Sequence, residues 1–471
     1  MALRVQDQSD QVKGMACEWP LTEALMAGTR AMRDAGVKFL PKWPNEEAKS
    51  YDARLATATL YPAFKRTVGV MVGKPFSKAM TFGDDVPEKI RVLCENVDQE
   101  GRNLHTFGAD VSREAMADGI SGVLVDYPTT NGMLRTRAQE QAAGVRPYFV
   151  HIRHNQVLGW RSETVDGKTQ LSQLRLAEAA EVPDGDFGMK VVKRVRVLTP
   201  GAWEIFEENE KGDYTSVASG TTTLKVIPFV PFYGERKAFM VGGSPLIDLA
   251  YLNVKHWQSQ SDQDTILHVA RVPILAVKGV GDTFALTVGA SAAVNLGSGE
   301  NADMKYVEHT GAAIEAGKVS LDDLEQQMIQ TGAELLVAKP GQRSATEASN
   351  DAEGNKSDLQ RISEGWEDSF DQCLQLMAMW VGETEGGHVS LFKDYSAATL
   401  SDASAQLVLA MQQGGAITKK TLLQEQQRRG VLSPDIDVDE ELEAVEAEGP
   451  SLGVMGDPLA DPTKKAPPAA E

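Results

Sequence analysis

Three observations predict an α+β protein. Long stretches carry apolar residues at steps of three and four, the period of an amphipathic helix. Between residues 146 and 235 the period changes to two, and Gly-containing turns separate the runs, as in an antiparallel sheet. Residues 244–338 then read as helix, β-rich insert, helix. Helices and antiparallel strands segregated in this way define the α+β class.

In chain order, Leu21 to Asp34 reads as one helix after Pro20. Pro41 and Pro44 make an extended connector. Tyr51 to Val72 reads as a long helix with a kink near Tyr61-Pro62, ended by Gly73 with Pro75 beyond. Pro87 to Asp98 is a further amphipathic helix, and Leu104 to Gly119 another. The apolar run after Gly122, closed by Pro128, is a buried strand, and 129–145 is a loop. The strand candidates that follow are YFVHI, VLGWRSET, QLSQLRLAE, MKVVKRVRVLT, GAWEIFEEN and LKVIPFVPFYGE. Turns are expected at Gly167-Lys168-Thr169, Asp184-Gly185 and Gly212-Asp213. Pro228 and Pro231 mark the last strand as an edge.

The central stretch opens on Ser244-Pro245, a capping Ser followed by Pro, and no Gly or Pro interrupts it until Pro273. Its middle, Gln258 to Asp264, is polar on every side, which predicts a helix that faces solvent or another copy of the chain. The insert alternates short apolar runs with Gly. A second helix is expected from Ser320, with Asp322 and Asp323 in its first turn, until Pro340-Gly341. A polar stretch to Lys356 precedes the helix Ser357 to Val381, whose stripe is Leu359, Ile362, Trp366, Phe370, Cys373, Met377 and Trp380. His388 to Tyr395 reads as a strand, and Ser401 to Gly430 as two helices broken at Gly414-Gly415. Between Leu432 and Pro462 stand ten Asp or Glu and no Lys or Arg, so this tail is expected to be disordered or helical only when bound.

The 471 residues suffice for a large core, and the net charge of −20 argues against a sequence-independent nucleic-acid binder, which needs concentrated Lys and Arg. Three widely spaced Cys imply neither a disulfide framework nor a zinc cluster and suit a reducing compartment. No signal peptide or membrane span is visible, which predicts a soluble, cytoplasmic protein.

Catalytic motifs are weak. Gly69 to Pro75 looks like a phosphate loop, but its glycines are one residue too close and Pro75 replaces the hydroxyl residue that would hold magnesium. Asp435, Asp437 and Asp439 have calcium-loop spacing, but Glu440 stands where Gly is needed. His151 and His154, three apart on one expected strand, point to opposite faces and do not converge on a metal. Gly279-Val-Gly281-Asp282 is half a dinucleotide fingerprint with no helix after it. Neither an enzyme nor a cofactor is predicted.

The order of elements, with SPLIDLAYLNVKHWQSQSDQDTILHVARVPILAVKG and ELLVAKPGQRSATEAS, resembles the portal proteins of tailed bacteriophages, in a podovirus-like subgroup. The resemblance spans residues 50–430. It implies a phage-portal-like fold: a helical and β wing at 1–243, with its β-rich part at 146–235; a stem of two helices at 244–270 and 320–338; a small β-containing clip at 271–319; and a channel loop at 339–356. A long wing helix and strand at 357–396, a helical crown at 397–450 and a disordered tail at 451–471 complete it. It further implies a head–tail connector ring, usually of twelve copies, at one capsid vertex. Double-stranded DNA would pass through it during packaging and ejection without being read. Terminase large subunit, tail adaptor, major capsid and scaffold proteins would be partners, no membrane would be involved, and the site would be the virion, assembled in the host cytoplasm. Carried to this sequence, the DNA-channel residues are Lys339, Arg343, Ser344 and Thr346. Stem residues facing neighbours are Lys255, Trp257, Gln260, Asp264, Gln326 and Gln330, and clip residues meeting terminase or adaptor are Lys278, Asp282 and Lys305. Two other readings stand beside it: a soluble α+β hydrolase or transferase with a dispersed site, and another structural virion protein such as an adaptor or scaffold.

Overall fold

The computed structural model describes residues 3–128, 139, 144–271, 274–278, 303–307, 311–336 and 356–393, and, further on, 395, 409, 412, 417–428, 432 and 436–448. The elements in order are α1 (Asp10–Ala16), α2 (Trp19–Ala27), α3 (Thr29–Ala35), α4 (Ala48–Thr57), α5 (Ala63–Gly73), β1 (Thr81–Phe82), α6 (Glu88–Cys94), α7 (Leu104–Asp118), β2 (Ile120–Asp126) and β3 (Tyr148–Ile152). Then come β4 (Val157–Val165), β5 (Lys168–Asp184), β6 (Gly188–Thr199), β7 (Ala202–Glu208), β8 (Tyr214–Thr221), β9 (Phe229–Tyr233), β10 (Glu235–Ala238), β11 (Val241–Gly243), α8 (Ile247–Ala270), β12 (Ile274–Lys278), β13 (Asp303–Val307), α9 (Ala312–Ala333), α10 (Asp358–Val381) and β14 (Val389–Ser390). These belong to one compact unit, Met1–Lys393; a second, Asp394–Glu471, holds α11 (Lys419–Arg428) and α12 (Val438–Glu448). The fold is α+β. Among the described residues no helix is long and apolar enough to cross a membrane.

The first unit is built around the three-stranded antiparallel sheet β3-β2-β9. All but the last residue of β2 are buried, because both faces of this central strand are covered. Ile120 and Leu124 point to one side, into a core with Val12 and Met15 of α1, Trp19, Leu174, Leu176, Leu198 and Phe229. Ser121 and Val123 point to the other side. There Ser121 Oγ donates to Val111 O of α7, and Phe232, paired with Ser121, meets Phe370 of α10 edge-on at 4.8 Å. Trp366 and Ser369 of α10 donate to the Tyr233 and Pro231 carbonyls of β9, the edge strand that its prolines predict. The apolar stripe of α10 is this buried face, and a capping box between Ser357 and Gln360 starts the helix. The runs between 157 and 221 form a five-stranded antiparallel meander, β4 to β8 in order. Its first turn is Asp166-Gly167, both with positive φ (51° and 77°), one residue before the expected place.

Gly119 joins α7 to β2 in the left-handed region at φ 89°, and a Cβ there would lie 2.5 Å from the Gly243 backbone. Only Gly satisfies both constraints.

Several boundaries differ from the sequence reading. The expected helix 21–34 is two helices, with Pro20 inside the first turn of α2 and a break at Gly28, whose φ is 93°. The long helix 51–72 is also two, because 58–62 leaves the helix before Pro62. Gly73 ends α5 without a left-handed turn; Lys74 is its cap. The strand at 388–395 shrinks to Val389–Ser390, paired with β1. Part of the acidic tail is a helix, α12, tied to α11 by Lys420 and Asp439 at 2.7 Å. The 129–138 part of the expected loop, Gly414-Gly415 and the tail 451–471 lie outside the described residues.

Candidate functional site

The helix–β–helix stretch keeps its predicted plan. α8 and α9 pack antiparallel: His256 faces Glu325, while Gln263 reaches Ile314 and Gly317. At their far end β12 and β13 pair antiparallel, from Ile274 with Val307 to Lys278 with Asp303. α9 starts at Ala312, eight residues before the expected Ser320, so Asp322 and Asp323 lie inside the helix instead of in its first turn. Its N-cap is Gly311 in the left-handed region with no side-chain cap, so the usual start signal is missing. Gly317 lies where the helices come close, since a Cβ there would sit 2.0 Å from Gln263 Oε1.

The polar middle of α8 overturns one expectation. It does not stand clear of the chain: Ser261 and Gln263 are buried, as are Asn253, His256 and Trp257 just before it. The hydrogen bonds made from this face run to main-chain groups of connectors and of the first turns of α5 and α9. Asn253 accepts from Phe64 N at 3.0 Å and donates to Tyr61 O at 2.8 Å. Gln258 donates to Phe39 O and Gln263 to Ile314 O, each at 2.9 Å. Non-helical connectors leave carbonyls and amides unpaired, and polar side chains on the facing helix satisfy them.

Some groups stay unsatisfied. Ser261 Oγ, Trp257 Nε1 and both His256 ring nitrogens are buried without a hydrogen-bond partner among the described residues. Glu325 Oε1 lies 3.5 Å from His256 Nε2, an ion-pair distance. Burial pushes the His256 imidazole below its ordinary pKa against the pull of Glu325.

A buried ion pair anchors the same face. Arg54 of α4 donates Nε and Nη2 to the two Glu46 oxygens, each at 2.8 Å, and Nη2 to Pro41 O at 2.9 Å. Its guanidinium lies 4.2 Å from the Trp43 ring centre, and Asp262 of α8 is 3.9 Å away. The Arg54 hydrogen bond holds the Glu46 carboxyl below its ordinary pKa, while burial raises that of Asp262 against the pull of Arg54.

The expected site residues separate accordingly. Lys255, Asp264, Gln326 and Gln330 are exposed, and Gln260 is half-buried, donating to Asp264 Oδ1 at 2.8 Å. Trp257 is 0% exposed and packs in its own chain, so it is not a neighbour-facing residue of an isolated stem. Lys278 and Lys305 are exposed on β12 and β13. Asp282, Lys339, Arg343, Ser344 and Thr346 lie outside the described residues. Sequence reasoning did not single out Tyr251, Val319 and Ile329, apolar residues of α8 and α9 that are 57%, 50% and 59% exposed.

His151 and His154 also depart from expectation. β3 stops at Ile152, and His154 opens a 3-10 turn, so the alternation of a strand no longer separates the rings. Both reach Glu114 of α7, at 3.1 Å and 2.6 Å. Among the described residues, Glu114, Asp118 and His154 form the one group of three side chains arranged to hold a metal ion.

The helix–β–helix unit and α10 are also where a family model applies: residues 245–381 match one described as "Domain of unknown function (DUF4055)". Among solved structures, a chain of the virion of a native gene transfer agent (GTA) particle is 11% identical, over 78% of this chain and 88% of that chain, with TM-score 0.37. A chain of the neck of a native GTA particle computed with C12 symmetry is 10% identical, over 78% and 89%, with TM-score 0.38. No curated protein matches this chain.

Proposed function

We propose that the chain is the portal subunit of a tailed-phage-like particle, a structural virion protein that assembles into a ring through which double-stranded DNA is packaged and ejected. The observation that carries this reading is the antiparallel pair α8 and α9, with a two-stranded β unit at its far end, packed against a wing of helices and antiparallel strands. This is the arrangement that the sequence resemblance implies. The outward Tyr251, Val319 and Ile329 support it, since apolar residues exposed along a helix pair gain by packing on a neighbour. A ring needs heterologous contacts, in which one face of a subunit meets a different face of the next. The acidic charge suits a channel wall that repels phosphates, so that DNA slides without being held. Terminase and a tail adaptor would dock on the β12–β13 end, where Lys278 and Lys305 are exposed.

Native mass spectrometry of the purified full chain tests the reading. A discrete species near twelve times the 51.0 kDa chain is expected. A chain that stays monomeric even with scaffold and shell protein present would overturn it.

A further inference from the structure

Three separate stretches of the wing bring metal-capable side chains together. α7 supplies Glu114 and Asp118, one helical turn apart on one face. The 3-10 turn after β3 supplies His154, and α2 supplies Glu23 and Thr22. His154 Nδ1 lies 2.6 Å from Glu114 Oε1 and 3.6 Å from Asp118 Oδ2. The donor atoms of the three residues all lie within 4.8 Å of one another. The site is interior: the side chains of His154, Asp118 and Glu114 are 6%, 9% and 13% exposed.

We propose that His154 Nδ1, Glu114 and Asp118 bind one divalent first-row metal ion of the Zn2+ class, as a structural clamp between α7 and the turn that follows β3.

The donor set is the first reason. One imidazole nitrogen with two carboxylate oxygens suits Zn2+ and its neighbours better than Mg2+ or Ca2+, which take oxygen alone. The second reason is that the outer groups orient the ligands. His154 Nε2 faces Glu23 Oε1 at 2.9 Å, which turns Nδ1 towards the other two carboxylates. A carboxylate on the far nitrogen of a ligating His is the usual partner of such sites. Thr22 Oγ1 donates to Asp118 Oδ1 at 2.5 Å, leaving Oδ2 for the metal. The third reason is charge. Three carboxylates face the buried His154 imidazole, and the other cation-capable group beside them is His151, whose Nε2 lies 3.1 Å from Glu114 Oε2. A buried excess of negative charge is costly, and a divalent ion offsets it.

In exchange for the metal, the proton that Nδ1 shares with Glu114 leaves to solvent, and a nitrogen–metal bond takes its place. With bonds of about 2.0–2.1 Å, nitrogen and oxygen of a tetrahedral site stand about 3.3 Å apart, so the Glu114 carboxylate, now 2.6 Å from Nδ1, moves outward by about 0.7 Å as the metal enters. Glu23 is half exposed and marks the route of entry.

The clamp does not depend on the portal reading, and the test is separate. The untagged full chain, stripped with chelator, is titrated with Zn2+ by calorimetry and with Co2+ by visible absorption. One ion per chain is expected, with a Co2+ band of low coordination number. Asp118→Asn should weaken Zn2+ binding at least about tenfold, while Asp34→Asn, an exposed acid on α3, should leave it unchanged. Absence of Zn2+ binding by the wild-type chain, or wild-type affinity in Asp118→Asn, would overturn the proposal. If circular dichroism shows that Asp118→Asn does not fold, Glu23→Gln decides: a loss of about tenfold supports the clamp, and an unchanged affinity overturns it.

Discussion

Replacing Glu46 by Gln tests whether the connector around Pro41 and α4 are held by their buried ion pair. The Arg54 and Glu46 side chains are only 4% and 3% exposed, and the two bonds between them are parallel and 2.8 Å long. The variant keeps the shape but loses the charge, and one of its amide N–H groups would face an Arg54 donor. Removing one partner of a buried pair costs about 3–5 kcal/mol, because the other charge is left uncompensated. Asp262, 3.9 Å away and half exposed, supplies part of the missing counter-charge, so the lower end, about 3 kcal/mol, is expected. Native-state hydrogen exchange reads this locally: amides of α4 should exchange about 100-fold faster in Glu46→Gln. The pH dependence has a definite sign. Glu46 has a folded pKa below its ordinary 4.5, so its contribution is complete above 4.5 and is lost as pH falls through the folded value. The variant should lack that acid-dependent loss. A difference in opening free energy under about 1 kcal/mol, or identical acid profiles, would refute the reasoning.

Ser261→Ala removes a buried hydroxyl without a partner, so thermal unfolding should show a neutral to stabilising change, of up to about 1 kcal/mol. Gly119→Ala places a Cβ against the Gly243 backbone at positive φ; urea unfolding should show a loss of about 2 kcal/mol or more, or no soluble protein. Lys339→Ala combined with Arg343→Ala should leave ring assembly intact and impair DNA packaging or retention in an infection assay; normal packaging would remove these residues from the channel.

The α+β class was legible because the hydrophobic period changes from helical to alternating at residue 146 and back after 243. The helix–β–helix unit was legible because a run free of Gly and Pro, Leu246 to Val272, precedes a Gly-rich insert, and a second stretch of helical period follows it. The environment of α8 was not legible. Side-chain pattern distinguishes polar from apolar, but not whether a polar residue meets water or an unpaired carbonyl. Asn253, Gln258 and Gln263 meet the main chain, so a face read as solvent-exposed is an internal joint. The start of α9 was missed because Gly311 caps it without a side chain and Gly317 interrupts the helical signal. The meeting of His151 and His154 at Glu114 depends on β3 ending two residues before His154, a boundary that no local residue announces.

In the proposed ring, α8 and α9 form the stem. Electron cryomicroscopy of the purified full chain, with scaffold and shell protein added where the chain alone does not assemble, tests it most directly. A closed ring with an axial hole is expected, with α8 and α9 lining the hole and the β12–β13 pair at one mouth. A ring with these helices on its outer rim, or particles of single chains with no hole, would contradict it.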